Sequence, residues 1–253
     1  MLLEYQCTLN CNYRCDYCTC GRNDLLETPI QEETEENVIN FLKFISQTYT
    51  QELYVFGGEP FLAKNIKVIL KTLNELNYPY VVQTNFSCYK KIDECFESKE
   101  IAPKKLQISV HPDNVKDYNK LIEYIKKYQE YVRFVDVMFT NKDVLKIYHL
   151  LYKHFGNLIH IAPLADFYTT RKKYRYALYE FNRLKKMLPK IQFETGIRSF
   201  LWEEQMKNVW TPKGKKCMYL NGEYVLYSPD LKKYNCSHRM NAVICPNDSC
   251  FML

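Results

Sequence analysis

A chain of 253 residues with 47% hydrophobic and 25% charged residues can bury a large core, and its length suits one large domain or one domain with a small appendage. The net charge of +6 comes from Lys and Arg scattered along the chain, with no basic block and no recognised binding module, which argues against a nucleic-acid partner. No apolar run is long enough to cross a bilayer, and the start MLLEYQC is too short and too soon charged for a signal peptide. The eleven cysteines are therefore expected in the reducing cytosol, where clustered thiols bind metal more readily than they form disulfides.

Leu2 to Cys7 reads as a first strand, and a cysteine-rich loop follows it. From Glu32 to Tyr49 the residues Val38, Phe41, Leu42, Ile45 and Tyr49 recur at helical spacing, behind an acidic opening that suits a helix N-terminus. Glu52 to Phe56 is a short strand running into Gly57-Gly58-Glu59-Pro60, and Ile66 to Leu76 is an amphipathic helix. Tyr80 to Thr84 is a third strand, broken by Asn85, with a weakly marked helix from Lys90 to Phe96. Leu106 to Val110 and Val132 to Phe139 are the next strands, separated by a helix with Val115, Tyr118, Ile122, Ile125 and Tyr128 on one face. Asn141 or Asp143 is the expected cap of a helix bearing Val144, Tyr148, Leu151 and Phe155. Leu158 to Leu164 is a sixth strand, with its helix near Tyr174 to Leu188.

Strands alternating with helices through short loops argue for an α/β fold, a partial (β/α)6 TIM-like barrel with parallel strands. In a barrel the loops leaving the C-terminal strand ends share one mouth, and active sites lie there. The first such loop holds Cys11-Asn-Tyr-Arg-Cys15-Asp-Tyr-Cys18, three thiols spaced C-x3-C-x2-C. This is a soft-ligand claw of the kind that wraps one corner of an iron–sulfur cube, leaving one iron open to a small chelating molecule. Half of a zinc site is the plainer alternative. Cys7 and Cys20 fall outside the spacing and read as packing residues, as do Cys88 and Cys95.

The motif CNYRCDYC, followed by FGGEP at the end of the second strand, resembles the radical S-adenosylmethionine (SAM) superfamily over residues 1–188. The resemblance implies a [4Fe-4S] cluster on Cys11, Cys15 and Cys18, with SAM chelating the open iron and cleaved by the reduced cluster to a 5′-deoxyadenosyl radical. It implies that Tyr17 stacks near the adenine and that the main chain of Gly57 and Gly58 receives the SAM amino group. Glu59 and Pro60 would shape that turn, and glycine would keep it open to close approach. Asn85, Ser109 and His111, at the ends of later strands, fall where the family contacts the SAM ribose and carboxylate.

Residues 189–253 break the rhythm, carrying Trp202, Trp210 and a Pro212 to Gly214 turn before the cysteines Cys217, Cys236, Cys245 and Cys250. Glu223 to Tyr227 and Lys233 to Cys236 read as a β-hairpin around Ser-Pro-Asp-Leu-Lys. The tail is similar to the Twitch or SPASM auxiliary-cluster extensions of that superfamily, with Gly222 in the hairpin and a second [4Fe-4S] cluster implied. The C-x4-C spacing of Cys245 and Cys250 departs from the tighter pair usual there. A zinc ribbon is the structural alternative, and His238 reads as an ordinary histidine and not a ligand.

Four thiols would close such a cluster, which would then relay an electron and suit a net oxidation or crosslinking of a peptide or protein side chain. Dehydrogenation of an aminoglycoside or sugar, RNA modification, and a non-catalytic zinc-binding adaptor are the alternatives. A flavodoxin or ferredoxin is the expected electron donor, and no membrane partner is expected. Met138, Thr140, Pro163 and Asp166 could line the substrate pocket, and no catalytic acid or base is assigned.

Overall fold

The computed structural model describes residues 1–15, 18, 30–140, 144–163 and 224–234. The chain forms two compact units, the first of Met1–Tyr13, Cys20–Gln107 and Lys216–Val243, the second of Arg14–Thr19, Ile108–Lys215 and Ile244–Leu253.

The first unit is built on β1 (Leu2–Thr8), buried along its whole length. Parallel strands flank it on both sides: β2 (Leu53–Gly57), with Leu3 opposite Leu53, and β7 (Tyr224–Tyr227), with Leu2 opposite Tyr224. The hydrogen-bonded order in this unit is β3-β2-β1-β7-β8, where β3 is Tyr80–Thr84 and β8 is Lys233–Tyr234. A strand with neighbours on both sides and cover on both faces needs apolar residues at successive positions, which accounts for the opening Leu-Leu. One face of β1 packs on α1 (Glu35–Thr48), where the Tyr5 and Phe41 rings lie 4.9 Å apart. On the other, Leu2 packs with Tyr224, Leu226, Tyr54 and Phe56.

Helix α1 starts three residues later than its sequence pattern suggests. Thr34 caps it, its hydroxyl accepting from Asn37 N at 3.3 Å, and Glu35 and Glu36 fill the first turn. Glu32 and Glu33 have other work: Glu32 accepts from the Thr8 hydroxyl and from Lys64 N, both at 2.6 Å, and the Glu33 carbonyl accepts from Asn65 Nδ2. Helices α2 (Ile66–Glu75) and α3 (Tyr89–Phe96) follow β2 and β3 close to the expected bounds.

The expected hairpin forms, with Leu226 opposite Tyr234 and Tyr227 opposite Lys233, antiparallel. The sequence reading did not foresee that its first strand extends the sheet beside β1. Tyr227 packs edge-on against Phe41 at 4.8 Å and shares a 3.1 Å hydroxyl contact with Tyr49. The Tyr224 hydroxyl donates to the buried Glu4 carboxylate at 2.6 Å.

Strand β4 (Leu106–Val110) begins in the first unit and ends in the second. The second unit continues with α4 (Tyr118–Lys127), β5 (Val132–Phe139), α5 (Val144–Phe155) and β6 (Ile159–Pro163). Asp117 caps α4, accepting from Lys120 N at 3.0 Å, which leaves Val115 ahead of the helix instead of on its face. β5 and β6 run parallel, Val135 opposite Ile159 through Phe139 opposite Pro163. The architecture is α/β with a mostly parallel sheet, the class expected from the strand and helix alternation. Asn141, Asp143, the helix near Tyr174 to Leu188 and the hairpin beyond Tyr234 lie outside the described residues. Among the described residues no helix is long and apolar enough to cross a membrane.

Candidate functional site

In the first unit the Gly-Gly-Glu-Pro turn is fastened to the root of the cysteine loop. Gly58 N donates to Thr8 O at 2.9 Å and Glu59 N to Asn10 O at 2.8 Å. A Cβ on Gly57 would stand 2.4 Å from Thr8 O, and one on Gly58 2.3 Å from Asn10 O and 2.9 Å from Cys11 Cβ. The glycines are thus required here by the chain's own backbone, whereas the sequence reading assigned them to the approach of SAM. Pro60 opens a single 3-10 turn, Pro60–Leu62, that ends the motif.

Glu59 is fully buried and braces the ends of β2 and β3. Its Oε1 accepts from the Thr84 hydroxyl at 2.7 Å and from Phe61 N at 3.2 Å, and its Oε2 from Asn85 N at 2.8 Å. Burial nevertheless outweighs these donors and pushes its carboxyl up to about 7. The β3 exit is sharply turned: Phe86, wholly buried, takes a φ of 56°, and its N–H is held by Thr84 Oγ1 at 2.9 Å. That turn presents the Asn85 amide to the cysteine loop, with Nδ2 donating to Asn12 Oδ1 at 3.1 Å and reaching Cys11 Sγ at 3.8 Å. Cys11 Sγ also accepts from Tyr13 N at 3.3 Å.

In the second unit Cys18 N donates to Cys15 O at 3.1 Å. Asn114, in the loop between β4 and α4, donates from Nδ2 to Cys15 Sγ at 3.3 Å. Ser109 and His111 are half-buried at the end of β4. Burial pushes the His111 imidazole down to about 4, so it is neutral at pH 7 and its ring nitrogens divide into one donor and one acceptor. Of the proposed pocket residues, Thr140 is buried and Met138 half-buried.

Tyr17, Asp166, Gly222, His238 and the cysteines Cys20, Cys217, Cys236, Cys245 and Cys250 lie outside the described residues, as does the side chain of Pro163. Cys7 and Cys95 are buried, and burial raises the thiol of Cys88 to about 12, in keeping with packing residues. Sequence reasoning missed Glu32, which ties Thr8 to the Lys64 main chain, and Asn114. Glu32 looked like part of the acidic opening of a helix. Asn114 carried only one signal, its place just beyond a C-terminal strand end.

The donor set fits an iron–sulfur cluster. Cys11, Cys15 and Cys18 are in no disulfide among the described residues, each is at least partly accessible, and N–H donors reach the sulfurs of Cys11 and Cys15. Among the described residues no three His, Cys, Asp or Glu side chains gather around a single point as for one metal ion. A cube does not ask for that, since each cysteine takes a different iron.

Residues 5–155 match the model of the Radical SAM superfamily, and the chain belongs to that superfamily. Membership implies a [4Fe-4S] cluster and SAM. No curated protein matches the chain. Among solved structures it is similar to Streptococcus suis SuiB bound to precursor peptide SuiA, with TM-score 0.62, 13% identity, and coverage of 97% of this chain and 61% of that one. SuiB bound to S-adenosylmethionine matches with TM-score 0.57 and 13% identity, over 92% of this chain and 57% of that one. The chain thus spans about three fifths of the length of these SuiB structures, and at these identities the likeness is one of fold.

Proposed function

We propose that this chain is a SAM-cleaving radical enzyme that oxidises or crosslinks a peptide or protein side chain. The observation that carries the reading is the fastening of the Gly57-Gly58-Glu59 turn to Thr8 and Asn10, immediately before Cys11. It makes the turn and the first cysteine one rigid piece, as a site that must hold a cluster and its chelating ligand together requires. The amide donors of Gly58 and Glu59 are committed to the carbonyls of Thr8 and Asn10, so an ammonium arriving at the turn meets a backbone already relieved of competing N–H groups.

Cys11, Cys15 and Cys18 would hold the cluster. The cluster, when bound, would supply the electron for reductive cleavage of SAM to methionine and a 5′-deoxyadenosyl radical able to take a hydrogen atom from substrate. Glu59 keeps the turn and the β3 exit in register, and Asn85 stands beside Cys11, at the edge where SAM would sit. Tyr17, Ser109 and the neutral His111 are the further SAM contacts the reading assigns. The fold likeness to SuiB, whose structure holds a precursor peptide, supports a peptide substrate. The hairpin between Cys217 and Cys236 supports an auxiliary cluster on Cys217, Cys236, Cys245 and Cys250, within a tail from about residue 189, that accepts the electron left by oxidation.

Anaerobically purified protein is expected to carry about eight irons, four per cluster. With a low-potential reductant and SAM it is expected to release 5′-deoxyadenosine, and Cys15→Ala to abolish that release. Stoichiometric zinc without iron would sink the reading.

A further inference from the structure

We infer that Asn114 sets the reduction potential of the SAM-cleaving cluster through its hydrogen bond to Cys15. This rests on the proposal that Cys15 is a cluster ligand. Asn114 Nδ2 lies 3.3 Å from Cys15 Sγ. The other end of the amide agrees with this orientation, Oδ1 facing Arg14 N at a long 3.5 Å with the NH2 group toward the sulfur. The main chain holds the residue in place as well, Asn114 N donating to His111 O at 2.9 Å. The side chain therefore reaches two adjacent residues of the cysteine motif, across a separation of about a hundred positions in sequence.

An iron-bound thiolate carries negative charge, and that charge grows when the cluster gains one electron from its external donor. An N–H aimed at the sulfur stabilises the reduced state more than the oxidised one and raises the potential. No covalent bond changes at Asn114. Asn85 in the first unit stands farther from its sulfur, at 3.8 Å from Cys11, and divides its amide with Asn12. Its influence is correspondingly weaker; Tyr13 N also donates to Cys11 at 3.3 Å, but that is a main-chain donor no side-chain substitution removes, and Asn114 is the side chain through which the potential can be tested.

The test is an anaerobic redox titration of the full chain with its clusters reconstituted, following the part of the reduced-state electron paramagnetic resonance signal that changes when SAM is added, which belongs to the SAM-cleaving cluster and not to the auxiliary one. Asn114→Asp keeps the acceptor for Arg14 N and replaces the donor with negative charge, whereas Asn114→Ala loses both. Tuning of the cluster orders the potentials with wild type highest, Asn114→Ala lower and Asn114→Asp lowest. In Asn114→Ala the reduction equilibrium is expected to weaken by roughly threefold to tenfold, tenfold being 59 mV for one electron. A role in shaping the loop predicts the opposite order, with Asn114→Asp near wild type and Asn114→Ala impaired. Equal potentials or the opposite order overturns the inference. If one variant fails to take up iron, the other decides, and failure of both overturns it. Wild-type protein without iron would instead overturn the proposed function, so the two failures are distinguishable.

Discussion

Gly58 is where the demand on a single residue is most severe. A methyl group there would meet a carbonyl oxygen at 2.3 Å and the Cβ of Cys11 at 2.9 Å, and neither is the free end of a flexible side chain. Gly58→Ala must therefore push the turn away from the cysteine loop, breaking the bonds from Gly58 N to Thr8 and from Glu59 N to Asn10. We expect a loss of about 1–3 kcal/mol in stability, the usual range for overpacking, together with reduced iron uptake. Denaturant unfolding and an iron assay would show it, and an unchanged midpoint with full iron would refute the account. The presence of two glycines was readable from the motif, but the partner they make room for was not. Nothing in the sequence shows that Thr8 and Asn10 lie against them.

Strand β7 shows how one element comes to belong with another far away in the chain. Its four residues were legible as a strand from their β-branched and aromatic content, and the turn that follows was legible from Ser-Pro-Asp. Its place beside β1 depends on contacts spanning most of the chain. The Tyr224 hydroxyl meets Glu4 across 220 positions, and Tyr227 meets Phe41 and Tyr49. Glu4 is 5% exposed, and a buried carboxylate that loses a hydroxyl donor costs about 1–3 kcal/mol. Tyr224→Phe is thus expected to lower stability by that amount and to hasten amide exchange in β7. Exchange in β7 identical to wild type would show that the strand is held by its backbone alone. A similar long reach hid Asn114, since a sequence read by local periodicity has no means of pairing it with Cys15.

The stability of the molecule as a whole should carry the mark of Glu59. Its carboxyl is raised to about 7 in the folded chain, from an ordinary value of 4.5. Between those values the folded chain holds a proton that the unfolded chain has released. Stability therefore falls as pH rises from about 4.5 to about 7, by roughly 1–3 kcal/mol, and this contribution is flat above that. Glu59→Gln removes this slope and, because one end of the amide must face a backbone N–H with a donor, lowers stability at every pH. Thermal unfolding of both proteins across pH 5 to 8 measures it, and the same slope in the variant would refute the assignment to Glu59.

Cysteine spacing, the glycine pair and hydrophobic periodicity are local properties, and they were enough to read the family, the α/β class and the order of strands and helices. They also marked Asn85, which follows the end of a buried strand. The tertiary structure alone decided what those residues touch: why Gly57 and Gly58 must be glycine, that Glu59 is a buried brace, that Glu32 leaves the helix to bind Thr8, and that β7 joins β1. Each of these depends on groups brought together from distant parts of the chain, where burial and hydrogen bonding act through space and leave no periodic trace.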